Sequence, residues 1–139
     1  MKLQEQKGQV LVEFALVAPL LIFFIFYLFI LGLWIYNSSQ TDQAARIAAR
    51  QCAWTGNSYE AKQEARDYLQ KTIVLSKIKN IEVMNKGANA SSKVTIEMET
   101  FLPGLKKLLD GSGWTGKVTI KKEATTVSEY RFRHPEEFN

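Results

Sequence analysis

Hydrophobic positions are concentrated in one uninterrupted stretch near the beginning of the chain. Residues 14–36 contain no charged side chain, and as a helix they would extend about 34 Å, enough for a hydrocarbon layer about 30 Å thick. Backbone groups inside lipid must bond within their own segment, which forces a helix. Trp34 and Tyr36 lie at its far end, where amphipathic rings favour the membrane interface. The polar run 37–40 then predicts the exit into water, so the pattern indicates one transmembrane helix.

A cleavable signal peptide and a buried core helix are the alternatives for this stretch. The apolar part of a signal peptide covers about 7–15 residues and ends at a small-residue cleavage site, whereas this stretch is longer and ends in Trp34, Ile35 and Tyr36. A core helix of this length would need a small domain to cover all of its sides. We therefore favour a membrane helix. Its N-terminus is expected in the cytosol, because a short segment precedes the span and a whole domain follows it.

The helical pattern continues beyond the span and then gives way to alternation. Small and apolar residues at helical spacing predict one buried stripe, namely Ala44, Ile47, Ala48 and Cys52. Ser58 is the expected N-cap of a second helix over residues 59–73. Three later segments alternate as half-buried strands do, at residues 79–85, 93–102 and 117–133. A turn at residues 86–89 joins the first two as a hairpin.

The sequence thus predicts an α+β fold, in which a long N-terminal transmembrane helix extends into a small pilin-like domain with a second helix and a roughly three-stranded antiparallel sheet. A short helical turn is expected at residues 105–109, and a mobile tail from residue 131. The expected segments are a cytosolic leader that is cleaved off (1–8), a transmembrane and assembly helix (9–40), an extracytoplasmic domain (41–133) and a tail (134–139). The net charge of +4 arises entirely after residue 40 and predicts a solvated, mildly basic surface.

The composition argues against an enzyme or a metal site. Cys52 is the only cysteine and His134 the only histidine, which excludes an intramolecular disulfide and metal cages built from Cys and His. No glycine-rich phosphate loop follows a predicted strand. The basic pair Lys121 and Lys122 has only Trp114 near it, whereas single-stranded nucleic-acid sites interleave several aromatic residues. We expect no catalytic residues, no cofactor, no metal and no nucleic-acid partner.

Glu13 is the only charged residue between positions 10 and 36. A carboxylate deep in hydrocarbon costs roughly 2.5–3.5 kcal/mol, although a place near the cytosolic end lowers that cost. One interpretation is an interfacial residue that marks where the span begins and benefits from the helix dipole. The other is functional: if a peptidase cuts after Gly8, Gln9 gains a free amine one helical turn from Glu13. Glu13 of one chain could then pair with that amine in its neighbour and set the register of packed helices.

A motif around Glu13 carries a family resemblance. It reads Gly-Gln-x-x-x-Glu-Phe followed by Ala-Leu-Val-x-Pro-Leu-Leu, and its residues are Gly8, Gln9, Glu13, Phe14, Ala15, Leu16, Val17, Pro19, Leu20 and Leu21. A second motif, an Ala-Ala-Arg stretch, lies within residues 42–50. With these two motifs, residues 1–52 resemble the TadE-like pseudopilins of the tight-adherence (Flp) pilus systems.

The resemblance implies a membrane-anchored pseudopilin or minor pilin that is needed to assemble a tight-adherence pilus. A prepilin peptidase of the inner membrane would cut between Gly8 and Gln9, and Glu13, Phe14 and Pro19 would act in assembly. The implied partners are that peptidase, other pilin or pseudopilin subunits packed through the N-terminal helix, the inner-membrane assembly platform and the lipid bilayer. The implied location is the inner membrane or a surface pilus. Gln9 replaces the phenylalanine that many type IV pilins carry there, which disfavours an ordinary major pilin.

A different class of function stays open at this point. The chain could remain uncleaved, as a single-pass membrane-anchored domain that binds a partner or acts as a scaffold in a secretion system. Pro19 is similarly open to two interpretations, because it removes one helical hydrogen bond. It is either a tolerated kink in a membrane helix or a position at which the packed helix bends.

Overall fold

A computed structural model describes residues 2–101, 107, 111 and 116–138 of the chain. Its helices are α1 (Lys2–Thr55), α2 (Ser58–Thr72) and α3 (Glu129–Arg133), followed by a 3-10 helix (Pro135–Phe138). Its strands are β1 (Ser76–Asn85), β2 (Asn89–Glu99) and β3 (Lys117–Val127). The α+β class predicted from the sequence is therefore confirmed. The chain divides into two compact units, Met1–Leu33 and Trp34–Asn139.

The first unit contains the most apolar part of α1. Its large apolar side chains are mostly exposed, with exposed fractions that reach 74% at Leu20. Within the apolar helix, an 18-residue window has a mean hydropathy of 2.9, and only 6% of that window is buried. The core helix of a soluble protein would be mostly buried, so the structure argues against that alternative. Apolar surface of this extent requires lipid or other helices to cover it.

The core of the second unit lies between α1, α2 and the sheet. The apolar positions that α1 buries there all carry small side chains: Ala44, Ala45, Ala48, Ala49, Cys52 and Ala53. Small residues let the sheet approach the helix closely, and the buried hydroxyl of Ser92 in β2 donates a hydrogen bond to the Ala45 carbonyl of α1. Larger side chains from the sheet and from α2 fill the remaining space, among them Val94, Ile96 and Leu69.

The stripe predicted on α1 is largely confirmed, and so is the hairpin. Ile47 is only partly buried, because the buried stripe is displaced toward Ala45 and Ala49. The sheet has the order β1-β2-β3 and is antiparallel throughout. At the hairpin turn, the Lys86 N–H donates to the Asn89 carbonyl at 2.9 Å, and Gly87 has a φ of +70°, which glycine adopts readily.

Several element boundaries differ from the sequence prediction. Strands β1 and β2 begin at Ser76 and Asn89, three and four residues earlier than predicted. The N-cap of α2 is Asn57 and not Ser58, because the Asn57 side-chain oxygen accepts hydrogen bonds from the backbone N–H groups of Tyr59 and Glu60. Strand β2 ends at Glu99, short of the predicted end at residue 102, which lies outside the described residues. The helical turn predicted at 105–109 lies outside them too, except for residue 107.

The third strand is shorter than predicted, and a short helix comes directly after it. Strand β3 ends at Val127, where the Ser128 N–H donates to the Ala88 carbonyl at 2.9 Å, and α3 begins at Glu129. The prediction of a strand to residue 133 was wrong because Tyr130 turns back onto the α1–α2 connection, where its ring packs over Gly56. The His134 ring stacks on Tyr130 with a centroid distance of 4.4 Å. The expected tail, from residue 131, therefore contains the end of α3 and a 3-10 helix.

Replacing Gly56 with alanine is expected to destabilise the protein by about 2–3 kcal/mol. Gly56 has a φ of +70°, and a Cβ atom there would lie 3.0–3.1 Å from three atoms of the Tyr130 ring. Gly111 is a matched control, since its φ is +69° but a Cβ there meets nothing within 4 Å. Gly111→Ala should therefore lower the free energy of unfolding only through the unfavourable left-handed backbone conformation, by about 1–2 kcal/mol. Urea unfolding of the full chain in detergent measures the free energy of unfolding of both variants. Equal decreases in the two variants would contradict a role for the contact with the Tyr130 ring.

Candidate processing and assembly site

Gly8 occupies a position in α1 where the fold has no need for glycine. A Cβ atom at Gly8 would meet nothing within 4 Å, and glycine inside a helix costs about 1 kcal/mol relative to alanine. Gly32, further along α1, has equally open surroundings. Open space around a glycine therefore does not by itself indicate a processing site. The argument for a site at Gly8 depends on the residues that follow it, Gln9 and Glu13.

The structure brings Gln9 and Glu13 together, one helical turn apart. The side-chain amide of Gln9 donates to a Glu13 carboxylate oxygen with an Nε2–Oε1 distance of 3.1 Å. Residues at i and i+4 share a helix face, so this contact follows directly from the spacing in the sequence. Within one chain, the amide of Gln9 thus bonds to the carboxylate that was predicted to pair with a neighbouring chain.

Phe14 and Pro19 lie on the exposed surface of the same helix. Phe14 is 70% exposed, so no contact within the described residues explains its bulk. Pro19 lies inside α1, which is helical on both sides of it. The structure therefore places Gly8, Gln9, Glu13, Phe14 and Pro19 along one exposed helical segment, and it shows contact only between Gln9 and Glu13.

Asn37 is a structural residue that the sequence interpretation missed. It was predicted to mark the exit into water, yet it is fully buried. Its side-chain amide donates to the Val74 carbonyl at 2.8 Å and to the Ser76 hydroxyl at 3.0 Å, and its oxygen accepts from the Val74 N–H at 3.0 Å. The Thr41 hydroxyl donates to the Asn37 carbonyl at 2.6 Å. The spacing of Asn37, Thr41 and the alanines at 44 and 48 could have revealed this, since all four share one helix face.

Among the described residues of the second unit, Glu97 and Cys52 have perturbed pKa values. The hydrogen bond from Lys117 is the largest cause that lowers the pKa of Glu97, and the charge of Lys79 adds to it. Burial raises the pKa of the Cys52 thiol, which keeps it protonated and unreactive. Cys52 therefore behaves as a small core residue in this chain.

These features describe a protein with one exposed apolar helix and a small α+β domain built on the continuation of that helix. Among the described residues, one helix is long and apolar enough to cross a membrane. The family model for TadE-like proteins matches residues 8–50, which confirms the resemblance over the segment that contains Gly8, Glu13 and the Ala-Ala-Arg stretch. Neither a curated protein nor a solved structure matches the chain.

Residues 8–50 are therefore similar to TadE-like proteins, a family associated with the tight-adherence pilus. TadE-like proteins are structural components of that system and are not known as enzymes. The matched segment covers the exposed apolar helix and ends inside the part of α1 that the domain buries. The matched segment therefore includes the apolar helix and the part of α1 that follows it, and ends before the sheet.

Proposed function

We propose that this chain is a pseudopilin or minor pilin that a prepilin peptidase cuts between Gly8 and Gln9, and that its N-terminal helix then packs into a tight-adherence pilus. The observation that carries the proposal is the exposed apolar segment of α1, residues 9–36, whose single acidic residue, Glu13, lies one turn from the predicted new N-terminus. The TadE-like match over residues 8–50 supports it.

The exposed surface of the first unit suits such packing. A helix whose bulky side chains mostly face outward can lie among lipids first and among identical helices later. After cleavage, the amine of Gln9 would give the Glu13 carboxylate of a neighbour a charged partner, which offsets the cost of removing both from water. The same pairing would fix the axial register between neighbouring helices.

Processing is tested by the mass and N-terminal sequence of the protein purified from membranes that contain a prepilin peptidase. We expect a chain that begins at Gln9. Gly8→Ala should abolish processing, because the peptidase must accommodate the residue before the cut. Gly32→Ala is the matched control, since Gly32 lies in the same helix with equally open surroundings, and it should be processed normally.

A chain that keeps its first eight residues in the presence of active peptidase would overturn the proposal. The uncleaved membrane-anchored binding or scaffold domain would then be the better explanation. Normal maturation of Gly8→Ala would place the cut elsewhere.

A further inference from the structure

The loop between α2 and β1 is attached to α1 just beyond the apolar span. Asn37 makes three hydrogen bonds to this loop, two with Val74 and one with Ser76. Asn37 follows Leu33 by four residues, which span at most about 14 Å of extended chain. Trp34 and Tyr36 lie between them and have the character of interfacial residues. The loop is therefore fixed close to the point where the chain leaves the bilayer.

The loop presents apolar side chains to the outside. Val74 is 43% exposed and Leu75 is 49% exposed. Leu75 is also the only non-glycine residue among those described that has a positive φ, at +51°. This left-handed conformation is rare for a bulky residue and is retained only when surrounding contacts impose it. The fold thus holds a leucine in an unfavourable backbone conformation without burying its side chain.

A third exposed apolar residue, Phe101, lies at the same end of the sheet. The Glu99 N–H donates to the Leu75 carbonyl at 3.0 Å, so the end of β2 is attached directly to the loop. Phe101 comes two residues later and is 75% exposed. Val74, Leu75 and Phe101 together are named the apolar rim below.

We infer that the apolar rim contacts the lipid bilayer that α1 crosses, at the level of the headgroups and upper acyl chains. This rests on the membrane anchoring in the proposed function. The bilayer is the occupant because Asn37, which bonds to Val74 and Ser76, follows the apolar span directly in the sequence. Apolar side chains at that level bury into the boundary about 5–10 Å deep. The contact would hold the domain in one orientation on the membrane before assembly.

The neighbouring charges fit a lipid surface. Lys77 follows the loop, and its ammonium group lies 3.2 Å from a Glu99 carboxylate oxygen while its side chain is 79% exposed. A long basic side chain beside an apolar contact can extend toward phosphate groups. The rim therefore has an exposed basic side chain beside its apolar surface, as interfacial anchors do, although Glu99 pairs with that side chain in the structure.

The test uses the full chain in vesicles of phosphatidylcholine and phosphatidylglycerol. Single cysteines carry the fluorophore NBD in a Cys52→Ala background, at Leu75→Cys and at Phe101→Cys. Val127→Cys is the matched control, because Val127 is 58% exposed and lies at the opposite end of β3, about 30 Å along the strand. Leu20→Cys reports on the span itself. Quenching is measured with iodide in the water and with nitroxide groups attached to the lipid chains.

We expect labels at positions 75 and 101 to be quenched several-fold more by the lipid nitroxide, and several-fold less by iodide, than the label at 127. Iodide quenching at 75 and 101 that equals quenching at 127, with Leu20→Cys still in lipid, would overturn the inference and leave the anchoring intact. Protection from both quenchers would indicate a protein partner and would also overturn it. Iodide access at Leu20→Cys would instead refute the membrane anchoring itself.

A second variant separates lipid contact from a purely structural role. Leu75→Gly removes the apolar side chain and suits the positive φ, so it should keep the domain folded. In the Phe101→Cys chain, it is expected to raise iodide quenching at position 101 several-fold. Unchanged quenching in a folded domain would show that Leu75 does not help to hold the rim in lipid.

Discussion

Glu13→Val is expected to abolish pilus assembly while the chain still inserts into the membrane. Removing the carboxylate makes insertion more favourable, because valine has no charge to place near hydrocarbon. In the assembled state the same change leaves the Gln9 amine of a neighbouring subunit without a partner, at a cost of about 3–5 kcal/mol. That loss lowers the affinity of each subunit contact roughly a hundredfold or more. Membrane fractionation measures insertion, and shear recovery of surface fibres measures assembly.

Glu13→Gln is the matched control for the charge. A glutamine has nearly the same shape and can still accept a hydrogen bond from the Gln9 side chain, which the Glu13 carboxylate accepts at 3.1 Å in the structure. It cannot form an ion pair with an amine. We expect Glu13→Gln to fail in assembly as Glu13→Val does. If Glu13→Gln assembles normally, the side-chain hydrogen bond is sufficient and the pairing with a neighbouring amine is not needed.

The helices and the hairpin were predictable because their signals are local. A long uncharged segment has few structural options besides a membrane helix, and the alternation in β2 places Val94, Ile96 and Met98 on the buried side as the pattern predicts. Gln9 and Glu13 also meet as their spacing requires. In each case residues within one or two turns of each other, or on one strand, determine the outcome.

The missed features depend on residues that are distant in the sequence. Strand β3 ends because Tyr130 packs on Gly56, which lies more than seventy positions earlier. Asn37 was interpreted from its place after the apolar span, and a polar residue there usually faces water. Its burial depends on the loop at Val74, which returns to it only after α2 has formed. The sequence around Tyr130 does not identify Gly56 as its contact, and the sequence around Asn37 does not identify the loop at Val74.

Asn37→Ala is expected to lower the free energy of unfolding by about 2–4 kcal/mol, because it removes three hydrogen bonds at once. The loss is large beside a typical total stability of about 5–15 kcal/mol. Trp34, which packs against the core three residues earlier, provides a fluorescence signal for urea unfolding of the full chain in detergent. Asn80→Ala is the control, since Asn80 is exposed and its amide bonds only to Glu82 among the contacts described. It should change stability by less than about 0.5 kcal/mol.

Asn37→Ala should also allow the backbone of Leu75 to leave its left-handed conformation. Without Asn37, residues 74 and 75 keep two described hydrogen bonds, from the Glu99 N–H to the Leu75 carbonyl and from the Ser76 hydroxyl to the Val74 carbonyl. Fewer contacts then hold Leu75 at its unfavourable φ of +51°. Amide hydrogen exchange at residues 74–76 should therefore accelerate strongly in Asn37→Ala, whereas exchange in β2 should accelerate only as much as the lower free energy of global unfolding requires. If exchange in the loop stays slow, the remaining contacts impose the left-handed leucine, and Asn37 stabilises the core without shaping the loop.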